Sequence, residues 1–255
     1  MDRKLYKLPF RKGYPPRWLC PTCGKGILKI KADTFNSVET SGSKKARGHE
    51  EWDPQWIEYV YSCLLVCSNE ACKGVVANSG EGFVDVDFDY DDNGQPVQNW
   101  FDFFRPKYFH PHLKLFSLPT GTPKDVVEEI NQSFELFFCN PPSASNHIRI
   151  ALENLLTYMK VKRYETKNGK KFFLNLHKRI DLIPTKYQSL KDFCLAIKWL
   201  GNDGSHSDKN ITLDDVMDAY EIMDEMLREL LDKKQEHIKK LVKTINKKKG
   251  PKGKK

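Results

Sequence analysis

Cys20-Pro-Thr-Cys23-Gly24 and Cys67-Ser-Asn-Glu-Ala-Cys72-Lys-Gly74 are the two stretches from which the rest of the chain can be read. Two cysteines separated by two residues, with a glycine behind them, make a tight knuckle that aims both sulfurs at one ion. Four thiolates at short range are what a tetrahedral zinc site takes. The second pair is looser, with four intervening residues, and again has a glycine close behind. Forty-three residues lie between Cys23 and Cys67. The polar run Thr40-Ser-Gly-Ser-Lys-Lys-Ala-Arg-Gly-His49 accounts for the excess over a minimal ribbon as an exposed loop. Four cysteine ligands, Cys20, Cys23, Cys67 and Cys72, leave no open position on the metal. The zinc is therefore expected to be structural and to supply folding energy that a small sheet lacks.

The chain has seven cysteines, and clustering in pairs argues for metal rather than disulfides. A redox-active CxxC would leave the second pair unexplained. Cys63, four residues before Cys67, is the spare and reads as a small buried hydrophobe, as do Cys139 and Cys194.

Outward from the cysteines, Ile27–Ile30 and Trp56–Val66 read as strands. Phe83-Val-Asp-Val-Asp-Phe-Asp-Tyr90 alternates strictly. Its Val84, Val86, Phe88 and Tyr90 face is wholly apolar, which predicts a strand with one buried side. Asp89-Tyr-Asp-Asp-Asn-Gly94 begins like a calcium loop. The twelfth position is Trp100 where a bidentate glutamate is required, so an Asn-Gly hairpin turn is the reading.

Beyond residue 120 the period changes to helical. Thr122-Pro123 opens a helix with Val126, Val127, Ile130, Phe134, Phe137 and Phe138 inward, and Pro141-Pro142 stops it. A second helix carries Ile148, Ala151, Leu152, Leu155, Leu156 and Met159. A loop is expected near 165–170, a third helix over about 171–182, and a fourth from Ser189 to Leu200. Thr212 with Asp215 opens a fifth, through Leu231. The fold class is α+β. A ribbon (1–80), a β-hairpin and aromatic connecting segment (81–120), a helical bundle (121–232) and a largely disordered lysine-rich tail (233–255) are expected in turn.

Charge belongs to that tail. The chain is formally +8, but residues 233–255 hold eleven lysines against one acid, Glu236, so the remainder is slightly negative. Such a tail binds polyanions, RNA or DNA among them, and equally serves as a solubilising end. No run approaches the roughly 20 apolar residues of a membrane span, and no apolar segment follows Met1-Asp-Arg-Lys4. A cytoplasmic protein with no membrane partner is the expectation. Phosphate-binding Gly-rich loops, HExxH and GxSxG are all missing.

One motif remains, Lys198-Trp-Leu-Gly-Asn202-Asp-Gly-Ser-His206. Gly201, Asn202 and Gly204 tolerate left-handed backbone, so the plain reading is a helix stop with His206 packed in the turn. The functional reading is a histidine held at a corner, able to act as general acid or base.

Taken with Leu118-Pro-Thr-Gly-Thr-Pro-Lys-Asp-Val-Val127 and Pro142-Ser-Ala-Ser-Asn-His-Ile-Arg149-Ile-Ala-Leu-Glu153, this corner resembles the family called domain of unknown function 4145, over roughly residues 115–232. The resemblance implies a bundle like those of the HEPN superfamily, found in restriction subunits, toxins and phage-defence proteins and often preceded by a zinc ribbon. Active HEPN ribonucleases cut RNA without metal, as dimers, using an Arg-x4–6-His motif. By that likeness His206 takes the histidine position and Asn202 the polar one. The arginine position is departed from: Lys198 stands there at a longer spacing, and a lysine lacks the two-pronged fork that an arginine offers to phosphate. Arg149 and Glu153, one helical turn apart, are expected to pair. The implied function is a zinc-stabilised, non-catalytic binding or regulatory protein of a phage-defence or restriction-type system, acting as a homodimer or a subunit of a defence complex. The alternative is a metal-independent endoribonuclease using His206 with Asn202 and Lys198.

Overall fold

The structure is a computed structural model describing residues 2–91, 93–206, 211–231 and 233–250, with the side chains at 89, 202–206, 233–237 and 239 outside that description. It is mixed in class, an N-terminal antiparallel sheet followed by helices. Two compact units result, Met1–Lys114 with Phe134–Pro141, and Leu115–Ser133 with Pro142–Lys255.

The first unit holds two short helices, α1 (Lys4–Lys7) and α2 (Ser41–Ala46), and five strands, β1 (Leu28–Ile30), β2 (Asn36–Glu39), β3 (Glu58–Cys67), β4 (Val75–Tyr90) and β5 (Pro96–His110). All pairings are antiparallel. β1 and β2 share one edge of β3, β4 lies along the other, and β5 pairs with β4. The part of the polar 40–49 run expected as loop is therefore partly helical. Thr40 caps α2 by accepting from Ser43 N, and Glu39 ties it down through Ser43 and Arg47.

Aromatic side chains fill this unit. Phe104 has the rings of Phe35 and Tyr61 at 4.8 and 5.1 Å, and its backbone exchanges two hydrogen bonds with Phe10. Tyr61 donates to Asn78 Oδ1 at 2.9 Å, and Asn78 Nδ2 donates to Tyr108 O, so the buried amide is satisfied on both sides. Cys63 lies against the same amide, and burial pushes its thiol up to about 11.

The alternating segment Phe83–Tyr90 is a strand, but its apolar face is buried only at Val84; Phe88 and Tyr90 are exposed. The register explains the difference. β3 ends opposite Phe83, so residues beyond it pair with β5 alone and extend as a two-stranded ribbon. At its tip Asp91 Oδ1 accepts from Asn93 N and Gln95 N, which commits that carboxylate to the turn rather than to a calcium loop.

The second unit holds α3 (Lys124–Leu136, its end counted with the first unit), α4 (Pro141–Tyr158), α5 (Leu176–Asp181), α6 (Lys191–His206), α7 (Leu213–Leu231) and α8 (Lys233–Lys248). The expected stripes are buried: Ile148, Leu152, Leu155 and Leu156 on α4, and Val216, Tyr220, Met223 and Leu227 on α7. Tyr220 donates to Ser133 Oγ, which itself donates to Ala144 O. Thr212 and Asp215 form the expected reciprocal cap, with Thr212 N reaching Asp215 Oδ2 at 2.8 Å and Asp215 N returning to Thr212 Oγ1.

Four expectations are corrected. Pro141-Pro142 opens α4 instead of merely ending α3, since the first turn of a helix does not need those N–H groups. The expected third helix over 171–182 is a strand followed by a short helix. β6 (Tyr164–Lys167) and β7 (Lys170–Phe173) form a hairpin around Asn168-Gly169, both with positive φ, and only Leu176–Asp181 is helical. The fourth helix runs past Leu200 to His206. The tail is helical over Lys233–Lys248, where Ile238, Leu241, Val242 and Ile245 recur at helical spacing among the lysines.

Candidate metal centre and the histidine-bearing helix

The first knuckle is shaped by backbone bonds: Gly24 N donates to Cys20 O, and Cys20 N donates to Gly26 O. In the second, Cys67 N donates to Gly74 O and Cys72 N to Asn69 O. These bonds bring the four sulfurs to within 4.8 Å of one another, with no disulfide among them. A zinc ion with four Zn–S bonds of about 2.3 Å requires sulfurs about 3.8 Å apart along each edge of its tetrahedron. Cys20 Sγ and Cys72 Sγ are 3.9 Å apart, and Cys23 Sγ and Cys67 Sγ 3.7 Å. The donor set and its spacing thus fit a tetrahedral thiolate site.

The electrostatics agree. Backbone N–H groups of Gly26 and Lys25 hold the Cys23 thiol down to about 6, whereas burial pushes Cys67 up to about 12. Backbone dipoles thus favour the Cys23 thiolate, while the buried Cys67 thiolate is favoured only with a cation beside it. Gly26 is obligatory here, because a Cβ at that position would overlap Cys67 Sγ and lie 2.9 Å from Asn69 N.

In the helical unit, Arg149 Nη2 meets Glu153 Oε1 at 3.3 Å, the pairing expected from their spacing. Lys198 is 8% exposed, its Nζ 3.3 Å from the Trp199 ring centroid. Gly201 is in helix, not at a stop. A Cβ there would lie 2.6 Å from Arg149 Cβ, so the glycine permits close approach of α6 to α4. This is the physical reason the helix carries a residue that reads as a breaker. The backbone through Asn202 and His206 is helical, while the side chains of both candidate catalytic residues lie outside the described residues. Cys194 is fully buried, its thiol pushed by burial up to about 12, and Cys139 is half-buried.

Sequence reasoning passed over Arg179. It is fully buried, Nη2 donates to Thr157 Oγ1 at 2.8 Å, and Nε and Nη1 have no hydrogen-bond partner among the described residues. Burial lowers its pKa, offset in part by Glu153. A buried cation with so few partners costs more than an apolar chain of equal length. Arg179→Met is expected to keep or raise thermal stability, by about 1 kcal/mol or more in the latter case. A clear fall in melting temperature would show that the guanidinium holds the bundle together.

A sheet carrying a four-thiol cluster, followed by helices, is thus the class of protein the geometry defines. Residues 131–248 match the family described as Domain of unknown function (DUF4145), which bears out the resemblance over the stretches Pro142–Glu153 and Lys198–His206; Leu118–Val127 lies outside the match. Residues 8–109, which contain all four clustered cysteines, match a second, Domain of unknown function (DUF8608). No curated protein and no solved structure matches the chain. Among the described residues no helix is long and apolar enough to cross a membrane.

Proposed function

We propose that the chain is a zinc-stabilised, non-catalytic binding or regulatory protein of a phage-defence or restriction-type system, with a HEPN-like bundle behind a zinc ribbon. The observation that carries the non-catalytic half of this reading is Lys198. It is the cation of the Lys198–His206 motif, and it lies over the Trp199 ring with 8% of its surface exposed. RNA cutting without metal needs a cation that reaches the phosphate as charge develops, and this ammonium is already engaged. The four-thiol cluster supports the zinc-stabilised part, because four sulfurs fill every position around a zinc ion and leave none for substrate. Two copies facing each other are a requirement of the ribonuclease alternative and an option for the binding reading.

The test is incubation of the full chain with labelled tRNA and mRNA, in enough EDTA to remove magnesium, beside His206→Ala. Intact RNA in both is expected. Cleavage by the parent protein, lost in a folded His206→Ala dimer, would establish the ribonuclease.

A further inference from the structure

The β6–β7 hairpin gathers positive charge that the near-neutral average of the body conceals. Residues 160–178 contain seven Lys and Arg against one acid, Glu165. With the tail's eleven lysines set aside as well, 24 of the 42 basic side chains and 32 of the 34 acids are left for everything else. The hairpin is thus a cationic island on an otherwise acidic chain.

Its aromatic residues are exposed. Tyr164, Phe172 and Phe173 are 42, 49 and 55% exposed. Opposite residues of an antiparallel pair share a face, so the register places Phe172, Glu165, Lys167 and Lys170 on one side and Tyr164, Phe173 and Lys171 on the other. The first side borders a groove of about 610 Å³ that Lys178 of α5 also lines. Glu165, the groove's acid, is committed to Lys167 at 2.6 Å, and Lys167 with its neighbours holds the carboxyl below its usual range. Lys170 and Lys178 line the groove and form no ion pair within 4.0 Å among the described residues, Lys178 acting on Glu165 only at longer range. On the second side Lys171 Nζ sits 4.2 Å from the Tyr164 ring centroid, which stands edge-on to Phe173.

Lysines alternating with solvent-exposed rings are the chemistry of a single-stranded nucleic acid site, in which ammonium groups follow the phosphates and rings stack on bases. An acidic peptide would satisfy the lysines but leave the rings without partners. We infer that the β6–β7 hairpin, with Lys178, is a docking surface for single-stranded nucleic acid. The inference deepens the binding reading above, and it locates the contact on the body rather than on the tail.

The experiment is fluorescence anisotropy with a labelled 12-nucleotide oligo(U) and its oligo(dT) counterpart, titrated with full-length protein between 50 and 200 mM salt. Three variants stand beside the parent: Phe172→Ala, Lys170→Glu with Lys178→Glu, and deletion of 244–255. Phe172→Ala and the double lysine variant should melt like the parent, since the side chains altered are exposed, and the melting curve of the truncation is recorded beside theirs. Phe172→Ala should weaken binding about tenfold. The double lysine variant should weaken it further and flatten the salt dependence by about two phosphate contacts. Preference between the two oligonucleotides distinguishes RNA from DNA and leaves the surface unchanged. Absence of binding by the parent would overturn the inference, as would tighter binding of poly-glutamate. Hairpin variants that bind like the parent while the truncation alone loses affinity would also overturn it. That last outcome would leave the binding reading standing, whereas cleavage of the oligo(U) would remove it.

Discussion

Cys67→Ser should abolish metal retention and unfold the first unit at temperatures where the parent is native. Cys67 is 5% exposed, and the sulfur the substitution removes lies 3.7 Å from Cys23 Sγ and accepts from Asn69 N. Structural zinc supplies on the order of 10 kcal/mol to small metal-folded domains, and most of that depends on a complete ligand set. The sheet has an aromatic core of its own, so the loss falls hardest on residues 18–30 and 64–75. There β1 has only three residues and pairs with β3 beside Cys67 itself. Near-ultraviolet circular dichroism should lose the Trp18 signal, because Trp18 is 1% exposed and edge-on to Phe10 and Phe109. Cys63→Ser, four residues away, should retain the metal. A Cys67→Ser protein with parental zinc content would show that the cluster does not bind it.

Phe104→Ala is the second large effect, expected to cost about 3–5 kcal/mol. The ring is 2% exposed and contacts those of Phe10, Phe35 and Tyr61; the Gly82 position has no side chain and leaves it space. Removing it leaves a cavity that its stiff aromatic neighbours are poorly able to fill. Phe88→Ala, on the same sheet but 68% exposed, should change stability by less than about 0.5 kcal/mol. Denaturant titrations of the two variants read this contrast directly. Equal losses would mean that the ribbon beyond Phe83 is buried in the folded protein after all.

These two cases also show what could be read from the residues. The cysteine pairs were legible because thiolates at knuckle spacing have few other uses, and the stripes of α4 and α7 because burial on one face forces a period near 3.6. The exposure of Phe88 was not, since alternation reveals two faces but says nothing about where the neighbouring strand ends. The β6–β7 hairpin was missed for a related reason. Four-residue strands carry too little periodicity to register, and the Asn168-Gly169 turn signal was absorbed into a loop. Gly201 misled in the opposite direction. Its freedom of φ suggested a helix end, while the property actually used is the missing Cβ against Arg149. The helical spacing of Ile238, Leu241, Val242 and Ile245 was hidden by the lysine count around it.

The measurement that bears most directly on the central claim is the metal content and sulfur coordination of the purified full chain, by elemental analysis with X-ray absorption. The four-thiol site predicts about one zinc per chain, with four sulfurs at about 2.3 Å and no oxygen or nitrogen neighbour. Zinc near zero, or a shell that includes a water, would contradict it.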